Sequence, residues 1–194
     1  MKKDIILAGV GGQGILSIAT VIGEAALNEG LYLKQAEVHG MSQRGGDVQS
    51  NLRLSSAPIH SDLIAQGCAD LIISLEPMEA LRYLPYLSKD GWIVTNSKPF
   101  VNIPNYPDIE EILQHIRSIE HHVILDVEAL ANQAGAPAQA ANMVLLGAAI
   151  PSLDIEPDKI IAGVSSVFSR KGEAVVAANI AAVEAGRRFA GESI

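Results

Sequence analysis

The stretch Asp4-Ile5-Ile6-Leu7-Ala8-Gly9-Val10-Gly11-Gly12-Gln13-Gly14 decides the fold class. Ile5 to Ala8 is an unbroken apolar run that ends in glycines at positions 9, 11, 12 and 14. Behind them Ile15 to Leu27 is a broad apolar helical pattern, and Gly30 is placed to end it. Strand, glycine turn and helix in that order open a nucleotide-binding type of α/β fold. The chain must reverse tightly after the strand, and glycine leaves room there for a ligand or a neighbouring backbone. The helix start aims free N–H groups at the crevice, which favours an anion. Gly9, Gly11, Gly12, Gln13 and Gly14 are therefore candidate binding residues.

Working outward, Leu31 to Val38 reads as a second strand, completing a β-α-β opening. Glu37 to Asp47 combines glycines with a concentration of polar side chains. Val48 to Leu54 alternates strictly, with Val48, Ser50, Leu52 and Leu54 on one face and Gln49, Asn51 and Arg53 on the other. Period two with one polar face predicts a half-exposed antiparallel strand. Ser61 is placed to cap a short helix ending near Gly67, and Ala69 to Leu75 reads as a central parallel strand. Glu76 to Leu87 reads as a helix, with Pro77 in its first turn and Pro85 limiting its far end. Asp90-Gly91 is a turn into a strand from Trp92 to Asn96. Pro99, Pro104 and Pro107 make the next stretch a surface excursion. A helix from Asp108 or Ile109 to Ile119 and a strand from His122 to Val127 follow. Further helices are predicted over Glu128 to Ala134, Pro137 to Ile150, Pro157 to Phe168 and Ser169 to Ala190. Alternating strands and helices predict a three-layer Rossmann-like α/β fold. Its sheet should be mostly parallel with one antiparallel strand or hairpin, in a single domain over residues 1–194.

The totals narrow the function. The 194 residues are 48% hydrophobic and only 4% aromatic, which suits close helix–sheet packing. A net charge of −8, with the 14 Lys and Arg scattered, argues against nucleic acid and against an anionic membrane surface. Ala129 to Leu153 carries no charge, but Asn132, Gln133, Pro137, Gln139 and Asn142 interrupt it, so it reads as a buried helix and not a span. Lys2 and Lys3 precede a first strand too short to be a signal peptide. The single cysteine, Cys68, excludes a four-cysteine cluster or a disulfide within the chain and reads as a small core residue in a reducing cytoplasm. His121 and His122 lack a third ligand, so no metal site is expected.

Gly9, Gly11 and Gly14 satisfy the dinucleotide spacing, yet the acidic residue expected about 20 positions on falls at Lys34. Glu37 is a loose substitute. Autonomous NAD binding therefore stays as an alternative, beside a glycine turn that serves packing alone.

The segments Gly9-Val10-Gly11-Gly12-Gln13-Gly14 and Glu37-Val38-His39-Gly40-Met41-Ser42-Gln43-Arg44-Gly45-Gly46, taken together, resemble the gamma-type module of the 2-oxoacid:ferredoxin oxidoreductases. The second segment is similar to the form found in beta subunits of the indolepyruvate enzymes. Asn142-Met143-Val144-Leu145-Leu146-Gly147 and the last helix, with Asn179, Ala182 and Gly186, also fit. The resemblance implies oxidative decarboxylation of an aryl pyruvate with coenzyme A, giving an aryl acetyl-CoA, carbon dioxide and two reduced ferredoxins. It places thiamine diphosphate and the iron–sulfur clusters on a larger alpha subunit, leaving this chain inactive alone. A stand-alone ligand-binding or assembly module is the other reading.

Both glycine-rich loops follow strands and should meet at the carboxyl edge of the sheet. Arg44 can hold a phosphate or carboxylate, with Ser42, Gln43 and Gly45 beside it, so that this edge seats coenzyme A or the 2-oxoacid against the partner. Arg44 pairing with Glu37 or Asp47 is the structural alternative. His39 is either a proton shuttle or a loop-fixing side chain. No catalytic residue is assigned. The Gly40–Gly46 loop and the proline-rich excursion are expected to face the alpha subunit.

Overall fold

The structure, a computed structural model, describes residues 1–39, 46–101 and 103–193. In chain order the elements are β1 (Lys2–Val10), α1 (Ile15–Asn28), β2 (Tyr32–His39), β3 (Asp47–Ser55), β4 (Ala69–Ser74), α2 (Pro77–Arg82), β5 (Leu87–Asn96), α3 (Ile109–Arg117), β6 (His122–Leu125), α4 (Val127–Gln133), α5 (Ala141–Ala149), α6 (Pro157–Phe168) and α7 (Glu173–Ser193). The strands form one sheet in the order β2-β3-β1-β4-β5-β6. β3 runs antiparallel to both its neighbours, while β1, β4, β5 and β6 pair in parallel.

Side-chain alternation divides the core. Ile5 and Leu7 of β1, Leu71 and Ile73 of β4 and Val94 of β5 face a cluster built from α1, α4, α5, α6 and α7. Ile6, Ala8, Ile72 and Ile93 face a smaller cluster with α2 and α3. Period-two strands with apolar residues on both faces are what a sheet between two helical layers requires. Helix α5 has no exposed face at all, which is why its sequence carries no polar stripe. Among the described residues no helix is long and apolar enough to cross a membrane.

Local signals account for several boundaries. At the end of α1, Gly30 adopts a φ of 73°. Its N–H donates to Leu27 O at 2.9 Å and that of Leu31 to Ala26 O at 3.0 Å, closing a Schellman turn that only a residue tolerant of positive φ permits. Where α5 crosses α7, Gly147 and Gly186 face each other's helices. A Cβ on Gly147 would overlap Val183 O, and one on Gly186 would overlap Val144 O. The two backbones are in direct contact.

Five expectations are corrected. β3 is not half-exposed: it lies inside the sheet, between β1 and β2, and its polar face is covered. Arg53 donates from Nε to Asp4 Oδ1 at 2.7 Å and from Nη2 to Asp4 Oδ2 at 3.0 Å. The Asp4 side chain is only 1% exposed. Residues 58–64 form no helix at Ser61, because the carbonyls of Ser61 and Leu63 are taken by Arg53 Nη1 and the Ile64 N–H by Asn51 Oδ1. The β3 face thus turns a loop into its own lid. Asp90-Gly91 is not a turn but lies within β5, at an irregularity where β4 slips register against it. A Cβ on Gly91 would sit 2.9 Å from Ala69 O. The helix begun at Glu76 ends at Arg82, and Leu84–Tyr86 continues as a 3₁₀ turn. Cys68 is exposed, so it is not a core residue.

Candidate functional site at the carboxyl edge

The glycine turn is built by one glutamine. Gln13 Oε1 accepts the Val10 N–H at 2.7 Å, and Gln13 Nε2 donates to Leu75 O at 3.3 Å. The side chain therefore stitches the end of β1 to the end of β4. Gly9 leaves it space, since a Cβ there would lie 2.9 Å from Gln13 Oε1. Gly14, at φ 82°, ends the turn and caps α1. Asn142 Nδ2 donates to its carbonyl at 2.9 Å, and a Cβ on Gly14 would meet that nitrogen at 2.8 Å. Gly12, at φ 103°, has open space around it. The first turn of α1 has neither a side-chain cap nor an acidic residue, so its positive end is left unneutralised from within the helix.

This turn floors a cleft of about 430 Å³ at the carboxyl edge of the sheet. Gly12, Gln13, Gly14 and Ser17 line one side; Leu75, Asn96 and Phe100 another; Gln139, Asn142 and Lys171 a third. Lys171 also stands 5.3 Å from the centre of the Phe168 ring. Glu128, in the first turn of α4, brings the one carboxylate of the lining among the described residues. Asn96 holds its wall in place: Oδ1 accepts the Val127 N–H at 3.4 Å and Nδ2 donates to Lys98 O at 3.2 Å.

Beside the cleft lies a carboxylate that sequence reasoning passed over. Glu76 is 1% exposed. Its Oε2 accepts the Glu79 N–H at 2.9 Å, capping α2. Its Oε1 accepts the Phe100 N–H at 3.3 Å and a short hydrogen bond from the Tyr106 hydroxyl. Glu79, also buried, bridges Arg82 at 2.7 Å. Burial drives the Glu79 carboxyl above its ordinary range, with Arg82 opposing. Tyr83 donates to Asp47 Oδ2 at 3.5 Å, and burial, followed by the Asp47 charge, pushes its phenol up to about 12. The Ser-Leu-Glu-Pro sequence at 74–77 held the available signal: a carboxylate immediately before a first-turn proline is a helix cap.

Of the candidate residues, Gly12, Gln13 and Gly14 line the cleft. Gly9 is buried beneath it. Gly11 spends its N–H on Gly46 O at 2.9 Å. That bond brings the end of the second glycine-rich loop against the first. Ser42, Gln43, Arg44 and Gly45 lie outside the described residues, as do Gly40 and Met41. The proposed pairing partners of Arg44 have other contacts: Glu37 Oε1 accepts from Gln35 Nε2 at 2.9 Å, and Asp47 from Tyr83. His122 Nδ1 lies 2.7 Å from Ile119 O, and His121 stacks on Trp92 with ring centroids 4.9 Å apart. Among the described residues no three His, Cys, Asp or Glu side chains gather to hold a metal ion. The interposed β3 also carries Glu37 two strand spacings, about 10 Å, from the glycine turn, away from where a dinucleotide ribose would need it.

The chain matches the pyruvate ferredoxin/flavodoxin oxidoreductase family over residues 4–189. It is 41% identical to the indolepyruvate oxidoreductase subunit IorB of Pyrococcus horikoshii over 157 residues, covering 76% of this chain and 77% of the relative. Against the subunit of the same name from Methanothermobacter thermautotrophicus it is 34% identical, with both chains covered in full. The pyruvate oxidoreductase subunit PORC of Thermotoga maritima shares the fold, with a TM-score of 0.73 at 21% identity and 96% of each chain covered. A 2-oxoglutarate:ferredoxin oxidoreductase of Magnetococcus marinus, solved with 2-oxoglutarate, coenzyme A and succinyl-CoA bound, superposes with a TM-score of 0.75 at 22% identity, and this chain spans 31% of that longer one. With the family's pattern running from β1 into α7, the chain belongs to the pyruvate ferredoxin/flavodoxin oxidoreductase family.

Proposed function

We propose that this chain is the smaller subunit of an indolepyruvate-type 2-oxoacid:ferredoxin oxidoreductase, and that its carboxyl-edge cleft seats an anionic group of coenzyme A or the 2-oxoacid. The observation that carries the seat is the uncapped start of α1, opening beneath Gly12 into a cleft that also holds Lys171. Exposed N–H groups, a positive helix end and an ammonium favour a phosphate or carboxylate. Gly9, Gly11 and Gly14 shape the seat, while Gly12 and Gln13 face the ligand. Ser42, Gln43, Arg44 and Gly45 complete it from the second loop. Thiamine diphosphate and the clusters belong to the larger alpha subunit, consistent with a single cysteine in this chain, and ferredoxin accepts the electrons of the complex. The working place of the complex is the cytoplasm.

The test is reduction of ferredoxin by indolepyruvate and coenzyme A, measured for this chain, for the alpha subunit and for both together. Activity in the mixture alone supports a completing subunit; full activity from the alpha subunit alone removes the catalytic role. Calorimetric titration then addresses the seat. Lys171→Gln and Arg44→Ala should each weaken coenzyme A or 2-oxoacid binding to the complex, and unchanged affinity for both ligands in both variants would dismiss it.

A further inference from the structure

We propose that Glu76 is a positioning residue of the cleft: through Oε1 it clamps the proline-rich strap after β5, so that the Phe100 ring stands fixed as a cleft wall. This rests on the cleft reading above and adds a device to it. The strap, residues 97–101 and 103–108, holds Pro99, Pro104 and Pro107, which lack N–H groups and cannot build a ladder. It needs tethers from outside. One end is tied by Asn96 Nδ2 to Lys98 O and by Lys98 Nζ to Asp126 at 2.9 Å. The middle is tied by Glu76 at the Phe100 N–H and the Tyr106 hydroxyl, and the backbone N–H of Met78 in α2 also faces that hydroxyl.

The two oxygens of Glu76 divide their work. Oε2 faces Glu79 N and does what any helix cap does. Oε1 does nothing for α2; both its partners lie on the strap, 24 and 30 residues away in sequence. Nine-tenths or more of the side chain is out of water, where a carboxylate hydrogen bond is strong and its loss costly. The tether also sits at the right place. Phe100 keeps 43% of its surface exposed and spends part of it on the cleft, and Leu75, the residue before Glu76, lines the cleft floor and binds Gln13. Glu76 thus joins the glycine turn and the strap through adjacent residues. A strap left free would present the Phe100 wall only part of the time, and ligand affinity falls by that fraction.

Tyr106→Phe separates this from plain capping, because it removes one Oε1 partner, and with it the hydroxyl that faces the Met78 N–H, while the Glu76 Oε2 cap on the Glu79 N–H and the ring packing stay in place. Coenzyme A is titrated calorimetrically into the complex of this chain with its alpha subunit. Tyr106→Phe is expected to weaken binding about tenfold, Phe100→Ala by a similar factor, and the double variant no further than Phe100→Ala, since one acts through the other. The loss falls on KM for coenzyme A and spares kcat, and hydrogen exchange at the Phe100 amide accelerates in Tyr106→Phe. Unchanged affinity in Tyr106→Phe beside a weakened Phe100→Ala overturns the clamp and leaves the cleft reading standing, as do fully additive losses. Unchanged affinity for coenzyme A in Phe100→Ala and Lys171→Gln together overturns the clamp, and the cleft reading falls with it when the 2-oxoacid, titrated in the same way, also binds unchanged.

Discussion

Replacing Gly147 by Ala tests the crossing that holds the large core together. The added Cβ would overlap Val183 O and lie 2.7 Å from Val183 C and 3.0 Å from Arg187 N, where ordinary contacts begin near 3.4 Å. All of these are backbone atoms of α7, so no side chain can rotate away. The helices must part by roughly an ångström or more, and α5 has buried neighbours on every side. Overpacking of this kind costs about 1–3 kcal/mol, and backbone-on-backbone contact places it at the upper end. Alanine returns up to about 1 kcal/mol of helix propensity. The net expectation is a loss of roughly 2 kcal/mol, or about 4–8 °C in Tm for a chain of this size. Gly191, on the same helix α7, is the control, because a Cβ there meets nothing within 4 Å. Gly191→Ala should gain about 0.5–1 kcal/mol from propensity alone. Thermal and urea unfolding followed by circular dichroism measure both. A Gly147→Ala chain as stable as the native one, or a Gly191→Ala chain that loses as much, would refute the reasoning.

Asp4→Asn should cost about 3 kcal/mol by leaving the Arg53 guanidinium without its bidentate carboxylate, as urea unfolding at pH 7 will show. Burial alone would raise the Asp4 carboxyl, but the Arg53 and Lys2 hydrogen bonds outweigh it and hold it below the ordinary value. The native state therefore binds fewer protons there than the unfolded chain, so this stabilisation is present above the unfolded value near 4 and is lost as pH falls through the native one. The acid limb of the stability profile should flatten in the variant, and an unchanged limb would contradict the assignment. Tyr83, pushed up to about 12, has the opposite sign: the native state holds its proton longer, so stability declines between about pH 10 and 12. Tyr83→Phe should shrink that decline to the part due to Tyr106, whose phenol is also raised by burial and Glu76, read by alkaline unfolding together with phenolate absorbance. Gly14→Ala should cost about 1–2 kcal/mol, from an l-residue at φ 82° and a displaced Asn142, with Tm as the readout.

Particular residues show what a single sequence carries. The β1–glycine–α1 unit was legible because its signals are local: an apolar run, a turn that needs positive φ at Gly12 and Gly14, and a helix ended by Gly30. The antiparallel direction of β3 was readable from its alternation. Its burial was not, because Asn51 and Arg53 look solvated until their partners Ile64, Ser61 and Asp4 are known, and those are set by tertiary contact. The same non-local competition removed the helix at Ser61. At the site, Gly9 and Gly14 do structural work with Gln13 and Asn142 that spacing alone cannot separate from ligand contact. Lys171 and Phe100 reach the cleft from α6–α7 and from an irregular strap, and no motif marks either. Glu76 was hidden because a buried cap and a surface acid are spelled the same way.

The central place of β1 has a consequence during synthesis. Its neighbours are β3, ending at Ser55, and β4, ending at Ser74, so among the described strands β1 waits through the longest stretch of chain for partners on both sides. At about 5–20 residues per second, some 3–13 s separate the making of Ala8 from that of Ser74. Through that interval Ile5-Ile6-Leu7-Ala8 is an uncharged, proline-free apolar segment with two open edges until β3 is made and one until β4 is made. The nascent chain is therefore open to aggregation through an apolar segment that the finished protein buries completely, and Lys2, Lys3 and Asp4, the charges immediately before Ile5, are its first protection.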